Sequence, residues 1–247
     1  MVQEILFDRN LLRENKKRAL KNFPQACFLH REIANRIAEN VELLNRDFTD
    51  ILEIGAMDDY LRSIIRGVNY QFYDDEENLL LQSESFDLIL SNLNFHYINQ
   101  IPQFLLQIKN ALKPNGVFIA SFFGEENLHE LAHVLYETEN EIYSGVSPRM
   151  PPTIDVKTAA NLLAKAGFRD SISDFEKIEV KYSNPLSLLK DLKMMGQGNI
   201  MNKRSRKFFT KNFLNKILEN YRKMYATNDN GILATFEIVT ITGFKAK

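Results

Sequence analysis

The stretch Ile51-Leu52-Glu53-Ile54-Gly55-Ala56-Met57-Asp58-Asp59-Tyr60 constrains the fold more than any other in this chain of 247 residues. Apolar residues flanking one carboxylate and ending at a glycine read as a buried parallel strand and a tight turn, and Asp58 or Asp59 supplies a helix start. Strand, turn and helix in that order mark the place where an open α/β sheet holds a ligand. Glu53 and Gly55 are therefore candidate site residues. The competing reading of Glu53 is a buried carboxylate satisfied by backbone amides of the adjacent turn.

The rest of the chain supports an α/β class. Ile33, Ala34, Ile37, Ala38, Val41 and Leu44 recur at helical spacing, which predicts an amphipathic helix over Leu29–Leu44 leading into the first strand. After the turn, Tyr60–Arg66 suits a short helix closed by Gly67 as its C′ residue. Strands are expected at Asn69–Tyr73 and Phe86–Leu90, separated by about a dozen residues, near the minimum for a parallel crossover. One strand–helix unit is therefore expected to be missing.

Pro102 opens a helix with Ile101, Phe104, Leu105, Ile108 and Leu112 on its apolar face, and Lys113-Pro114-Asn115-Gly116 is read as its end. Val117–Phe123 follows as a buried strand. A helix over Asn127–Tyr143 should turn Leu128, Leu131, Ala132 and Leu135 inward. The breaker-rich loop 144–152 precedes a helix at Ile154–Lys165 capped by Gly167. The order β-α-β-α-β-α predicts a doubly wound sheet.

Alternation over Glu176–Tyr182 and a β-rich run at Leu233–Ile241 predict an antiparallel edge, with helices at Pro185–Met195 and about Lys207–Tyr225 between them. No internal repeat appears. The expected layout is a single domain: a helical cover over 1–48, an α/β core over 49–182, a helical insertion over 183–230 and a last strand over 231–247.

Composition narrows the function classes. The 31 basic residues nearly balance the 32 acidic ones, which argues against a dedicated nucleic-acid binder. The run Lys203-Arg204-Ser205-Arg206-Lys207 with Phe208-Phe209 is read as a solvated helix face, with an acidic protein partner as the next choice. No window is apolar for long enough to suggest a transmembrane segment. Cys27 is the single cysteine, which excludes an intrachain disulfide framework and fits a reducing compartment. The N-terminus lacks a continuous apolar h-region, and Glu4, Asp8 and Glu14 break the acid-poor pattern of a transit peptide. The expected location is the bacterial cytoplasm rather than the mitochondrial matrix.

Several motifs carry a resemblance. Ser85–Asn92 followed by Leu112–Phe118 resembles the central strand–helix–strand of class I S-adenosylmethionine-dependent methyltransferases. Phe7-Asp8-Arg9, Gly145-Val146-Ser147-Pro148-Arg149, Ala166-Gly167-Phe168, Asp191–Gly196 with Asn199, Ala234–Glu237 and Gly243-Phe244 narrow it. Together they resemble the methyltransferase-like family that includes the mitochondrial complex I assembly factor described as an arginine hydroxylase, with its alphaproteobacterial relatives. The malonyl-carrier methyltransferase of biotin synthesis is a more distant relative. The resemblance implies a Rossmann-like sheet with an antiparallel last strand, S-adenosylmethionine as cofactor, and a respiratory complex I subunit as protein substrate or partner.

Carried onto this sequence, the family's first-strand acid falls on Glu53 and the first glycine of its turn on Gly55. The next two glycines would fall at 57 and 59, where Met57 and Asp59 stand. Side chains there would oppose close approach of a cofactor, and two carboxylates would repel its own. Asp74-Asp75-Glu76-Glu77 resembles the motif after the family's third strand, so the missing unit reads as the second strand and its helix. Asp74 or Asp75 would then bond the adenosine moiety, a task for which carboxylates are suited. Asn92 completes the expected cofactor set.

His96 and Tyr97, just past a strand end, are expected to line a substrate cleft or else to pack. Arg149 would hold an acidic substrate group or partner, or anchor its own loop through a salt bridge. His129 and His133 have metal-ligand spacing but no third ligand nearby, so a solvated face is preferred and no metal site is expected. Cys27 reads as a bystander. No catalytic residue is assigned. Two function readings stay open: an S-adenosylmethionine-dependent enzyme of the hydroxylase-like branch, and a non-catalytic binding or assembly protein with a degenerate cofactor site.

Overall fold

The computed structural model describes residues 5–206 and 209–247. The start of the N-terminal segment, and Lys207 and Phe208 of the basic run, lie outside the described residues. In chain order the first elements are α1 (Arg9–Ala19), α2 (Phe28–Leu43), β1 (Asp50–Ile54), α3 (Tyr60–Ile64), β2 (Asn69–Tyr73) and β3 (Phe86–Ser91). Then come α4 (Ile101–Ala111), β4 (Leu112–Phe123), α5 (His129–Tyr143), α6 (Val156–Lys165) and β5 (Arg169–Tyr182). The last are α7 (Pro185–Met194), α8 (Lys211–Tyr225) and β6 (Ile232–Phe244). By its internal packing the chain divides into two units, one formed by Met1–Ala26, Glu125–Pro152 and Lys177–Glu237, the other by Cys27–Gly124, Thr153–Glu176 and Ile238–Lys247.

The second of these carries β1 to β4 of a six-stranded sheet ordered β2-β1-β3-β4-β6-β5. β1 runs parallel to β2, with Asp50 opposite Asn69 and Ile54 opposite Tyr73, and parallel to β3 on its other side. β6 is antiparallel to β4, from Val117 opposite Phe244 to Phe123 opposite Ile238. This is the mixed, doubly wound sheet expected from the sequence, one strand–helix unit short. The Asn69–Tyr73 strand lies directly against β1, so it takes the place beside the first strand, and the sheet ends there.

Burial explains why these segments are strands. Ile51, Leu52 and Ile54 on β1, Leu88, Ile89 and Leu90 on β3, and Val117–Phe122 on β4 are buried, as both faces of a covered parallel sheet require. Phe104, Leu105 and Ile108 of α4 and Leu163 of α6 pack with Phe118, Phe122, Phe95 and Phe168 in one cluster. Gly167 takes φ +81 after α6, the left-handed residue expected at that helix end.

Two expectations are corrected here. Gly67 is not a left-handed cap: α3 leaves through Ile65 in extended conformation, and a Cβ on Gly67 would come within 2.5 Å of the Ile51 side chain. Close packing, not turn geometry, selects that glycine. Lys113–Gly116 is not a loop after α4 either. β4 starts at Leu112, opposite Phe86, and the pairing shifts before Leu88 meets Val117. Lys113 lies 2.5 Å from Asp50 and 3.2 Å from Asp87, which ties the irregular segment to its neighbours.

In the other unit, Asp8 caps α1 by accepting from the Leu11 N–H at 3.0 Å. α5 buries Glu130, Leu131, Val134, Thr138 and Glu139, whereas Ala132 and Leu135 are only half-buried. The inward face is thus more polar than its apolar spacing implies, because each buried polar group finds a distant partner. Glu130 accepts from the Thr235 N–H at 3.1 Å and its hydroxyl at 2.5 Å, and Asn220 of α8 donates to Thr138 at 3.0 Å. Among the described residues no helix is long and apolar enough to cross a membrane.

Candidate functional site

The carboxyl end of β1 gathers the acidic residues. Glu53 is 3% exposed, and its Oε2 accepts from the Tyr70 hydroxyl at 2.7 Å. Burial raises the Glu53 carboxyl to about 7, opposed by the Tyr70 bond and reinforced by the nearby charges of Asp58 and Asp59. Burial and the Glu53 carboxylate in turn push the Tyr70 hydroxyl up. Glu53 therefore titrates near neutrality at an edge that also carries exposed Asp58, Asp59 and Asp74.

Gly55 has φ +74, and its N–H donates to the Tyr73 carbonyl at 2.9 Å, which joins the β1 turn to the end of β2. The turn needs glycine only at this point: Asp59 has φ −89, and neither it nor Met57 is left-handed. The space beside Gly55 is taken by the chain itself. A Cβ there would stand 2.2 Å from the Asn94 side-chain nitrogen and 2.9 Å from a Glu76 carboxylate oxygen. Asn94 and Glu76, 2% and 1% exposed, are bonded to each other at 2.7 Å.

Glu76 and Asn94 are the pair that the sequence reading did not single out. Of the acidic run, Asp74 is exposed and Asp75 accepts from the Glu77 N–H at 3.4 Å, closing a local turn. Glu77 receives the Asn99 N–H at 2.6 Å. The residue that turns inward to β1 is Glu76.

Asn92 faces a different neighbour. Its amide donates to the His30 carbonyl on α2 at 2.8 Å, and its oxygen accepts from Ser121 at 3.4 Å. His96 and Tyr97 are both buried, with ring centroids 4.1 Å apart, and His96 lies 4.8 Å from the Phe123 ring. Burial pushes the Tyr97 hydroxyl up. Here the packing alternative describes what these two rings do.

Arg149 belongs to the other unit, where its Nε and Nη2 donate to Glu139 Oε1 at 2.9 and 2.6 Å and its guanidinium lies 4.8 Å from the Phe213 ring. Ser147 donates to the same carboxylate through N–H and hydroxyl. Burial opposes ionisation of Glu139, yet the Ser147 and Arg149 bonds hold its carboxyl below the usual range. Arg149 is thus a loop anchor. Asn199 donates to the Pro148 carbonyl at 2.8 Å, the Asp8 N–H donates to the Ile200 carbonyl at 2.8 Å, and Arg204 bonds Asp8 at 3.1 Å. Three stretches far apart in sequence therefore lock into one hydrogen-bonded structure.

His133 contacts the Tyr225 hydroxyl at 2.7 Å and His129 the Glu126 carbonyl at 3.4 Å. Among the described residues no group of three His, Cys, Asp or Glu is placed to hold a metal ion. Cys27 is buried.

Comparison with known proteins places the chain in a family. Residues 56–120 match a family described as a methyltransferase domain. The mouse protein named arginine-hydroxylase NDUFAF5, mitochondrial, is 34% identical over 97% of this chain and 77% of its own length. A malonyl-[acyl-carrier protein] O-methyltransferase of Halorhodospira halophila is 24% identical over 94% of this chain and 86% of its own. The crystal structure of YcgJ from Bacillus subtilis, 12% identical, covers 86% of this chain and 99% of its own with a TM-score of 0.55, and shares the fold. The chain belongs to the NDUFAF5 arginine-hydroxylase family, within the S-adenosylmethionine-dependent methyltransferase superfamily.

Proposed function

We propose that this chain recognises and hydroxylates an arginine side chain of a protein, and that the protein is a subunit of respiratory complex I, as the resemblance of its motifs implies. The observation that carries this reading is the 34% identity to a named arginine hydroxylase, sustained over 97% of the chain. The acidic carboxyl edge supports it. A guanidinium keeps its charge at all physiological pH and forms its strongest hydrogen bonds with carboxylates. Asp58, Asp59 and Asp74 present such groups, with Glu53 buried beside them, while an anionic substrate would meet repulsion there. A composition with one cysteine is consistent with work in the bacterial cytoplasm.

The cofactor is a separate question. The superfamily uses S-adenosylmethionine, and three features of the β1 turn weigh against its fit in this chain. Asn94 and Glu76 fill the space against Gly55, Asp58 and Asp59 place negative charge beside the turn, and Asp75 is spent on a local bond. No step is assigned to the cofactor for that reason. A second reading, in which the chain binds its arginine-bearing partner without modifying it, rests on the same packing around Gly55.

Hydroxylation exchanges a C–H bond for C–O–H; with dioxygen as oxidant, one oxygen atom enters the arginine and the other leaves as water, which takes two electrons and two protons from a reductant outside the chain. The two readings separate in a co-expression experiment with candidate complex I subunits, followed by mass spectrometry of their arginines. The proposal expects a gain of one oxygen on an arginine, dependent on this chain. A gain of a methyl group would contradict it, and unmodified arginine on a co-purifying subunit would replace it by the binding reading.

A further inference from the structure

The missing strand leaves β2 as the end of the sheet, and among the described residues no strand pairs with its outer edge. Asn69, Gln71 and Phe72 are exposed, and Val68 and Leu80 beside them are 81% and 88% exposed. The Asn69 N–H donates to Thr49 and the Tyr73 carbonyl accepts from Gly55, so residues 69, 71 and 73 spend their backbone groups on the β1 side. The strand repeat then turns the N–H and C=O of Tyr70 and Phe72 outward. Protein edges are normally blunted by charges, prolines or bulges, and Asn-Tyr-Gln-Phe-Tyr has none of these.

We propose that this edge pairs with the same edge of a second copy, antiparallel about a twofold axis through Gln71. That register puts Tyr70 opposite Phe72 of the second copy and Phe72 opposite its Tyr70. The outward-facing residues then form both hydrogen-bonded pairs and both cross-strand aromatic pairs. Tyr70 and Phe72 share one face, with ring centroids 5.4 Å apart, so the two copies present a continuous aromatic ladder.

Charge selects the antiparallel sense. Exposed Arg62 and Arg66 precede β2, and Asp74 and Asp75 follow it. Only antiparallel pairing sets the basic flank of each copy against the acidic flank of the other. The pairing closes on itself as a dimer because the twofold uses the β2 edge of both copies, while the sheet's other edge strand, β5, carries charges along its length.

Sedimentation of the full chain tests this. The expected result is a monomer–dimer equilibrium that weakens with salt and weakens at least about tenfold in Phe72→Pro, which removes an outward donor without touching the β1 ladder. Gln71→Cys provides an independent arm. The twofold places this residue against its own copy at a Cα separation of about 4.5 Å, within disulfide range. Mild oxidation should therefore trap a covalent dimer of Gln71→Cys but not of Gln82→Cys, an exposed control, and the native Cys27 is buried. A chain that stays monomeric at every concentration overturns the proposal. So does a dimer that Gln71→Cys fails to trap, or assembly into species larger than a dimer. If Phe72→Pro does not fold, the cysteine pair still decides.

Discussion

Gly55→Ala is expected to destabilise the protein by about 2–5 kcal/mol. Two effects add. The residue sits at φ +74, where a Cβ costs roughly 1–2 kcal/mol. The new methyl would also stand 2.2 Å from the Asn94 amide, so the buried Glu76–Asn94 bond must open and leave polar groups unsatisfied, at roughly 1–3 kcal/mol. For a chain of this size the midpoint of thermal unfolding should fall by about 10 °C. Gly145→Ala is the matched control, because a Cβ there meets nothing closer than 4.0 Å. Trimming Asn94 to serine in the Gly55→Ala background should recover part of the loss. Equal urea midpoints for Gly55→Ala and Gly145→Ala would refute the filled-turn description.

Glu53→Gln is expected to make the protein more stable above neutral pH while changing little in acid. The carboxyl has an ordinary value of 4.5 and is raised to about 7 in the folded chain. Between those values the folded state holds a proton that the unfolded state has released, so stability falls as pH rises through this window and levels off above it. At about 1.4 kcal/mol per unit the cost is about 3 kcal/mol once Glu53 is fully ionised. A glutamine keeps an oxygen for the Tyr70 hydroxyl but never ionises. The difference in unfolding free energy between wild type and Glu53→Gln, followed from about pH 4 to about pH 8, should therefore grow in favour of the variant. A flat difference would show that Glu53 ionises without cost in the fold.

The site was legible in sequence only where it lay on a periodic element. Glu53 and Gly55 could be placed because an apolar strand ends at them, and their burial and left-handed φ follow from that pattern. The obstruction of the turn was sought at Met57 and Asp59, since glycines stand there in the family. The backbone avoids left-handed geometry at both, and the side chains packed against the turn glycine are Glu76 and Asn94. Four consecutive acids in a turn have no period that says which one faces inward. The inward face of α5 is legible only in part for a related reason: Leu128 and Leu131 are buried as expected, but so are polar residues that apolar spacing passes over. Glu130 and Glu139 are buried through Thr235, over a hundred residues away in sequence, and through Arg149 and Ser147 in an irregular loop. Apolar spacing is blind to polar groups buried by such partners. Strand β2, by contrast, lies where the sequence places it, over Asn69–Tyr73, and the missing unit is visible in the short interval before β3.

The central claim is that the acidic carboxyl edge recognises an arginine. It is tested most directly by calorimetric titration of the full chain at neutral pH with an arginine-bearing peptide from a complex I subunit and with the same peptide carrying uncharged citrulline. A guanidinium docked against Asp58 and Asp59 cancels the repulsion that helps to hold Glu53 near 7, so binding should release a proton, seen as a heat that changes with the ionisation enthalpy of the buffer. The account predicts saturable binding of the arginine peptide with proton release, loss of that release in Glu53→Gln, and binding of the citrulline peptide weaker by at least about tenfold. Equal affinity for the two peptides, or binding with no proton release, would contradict it.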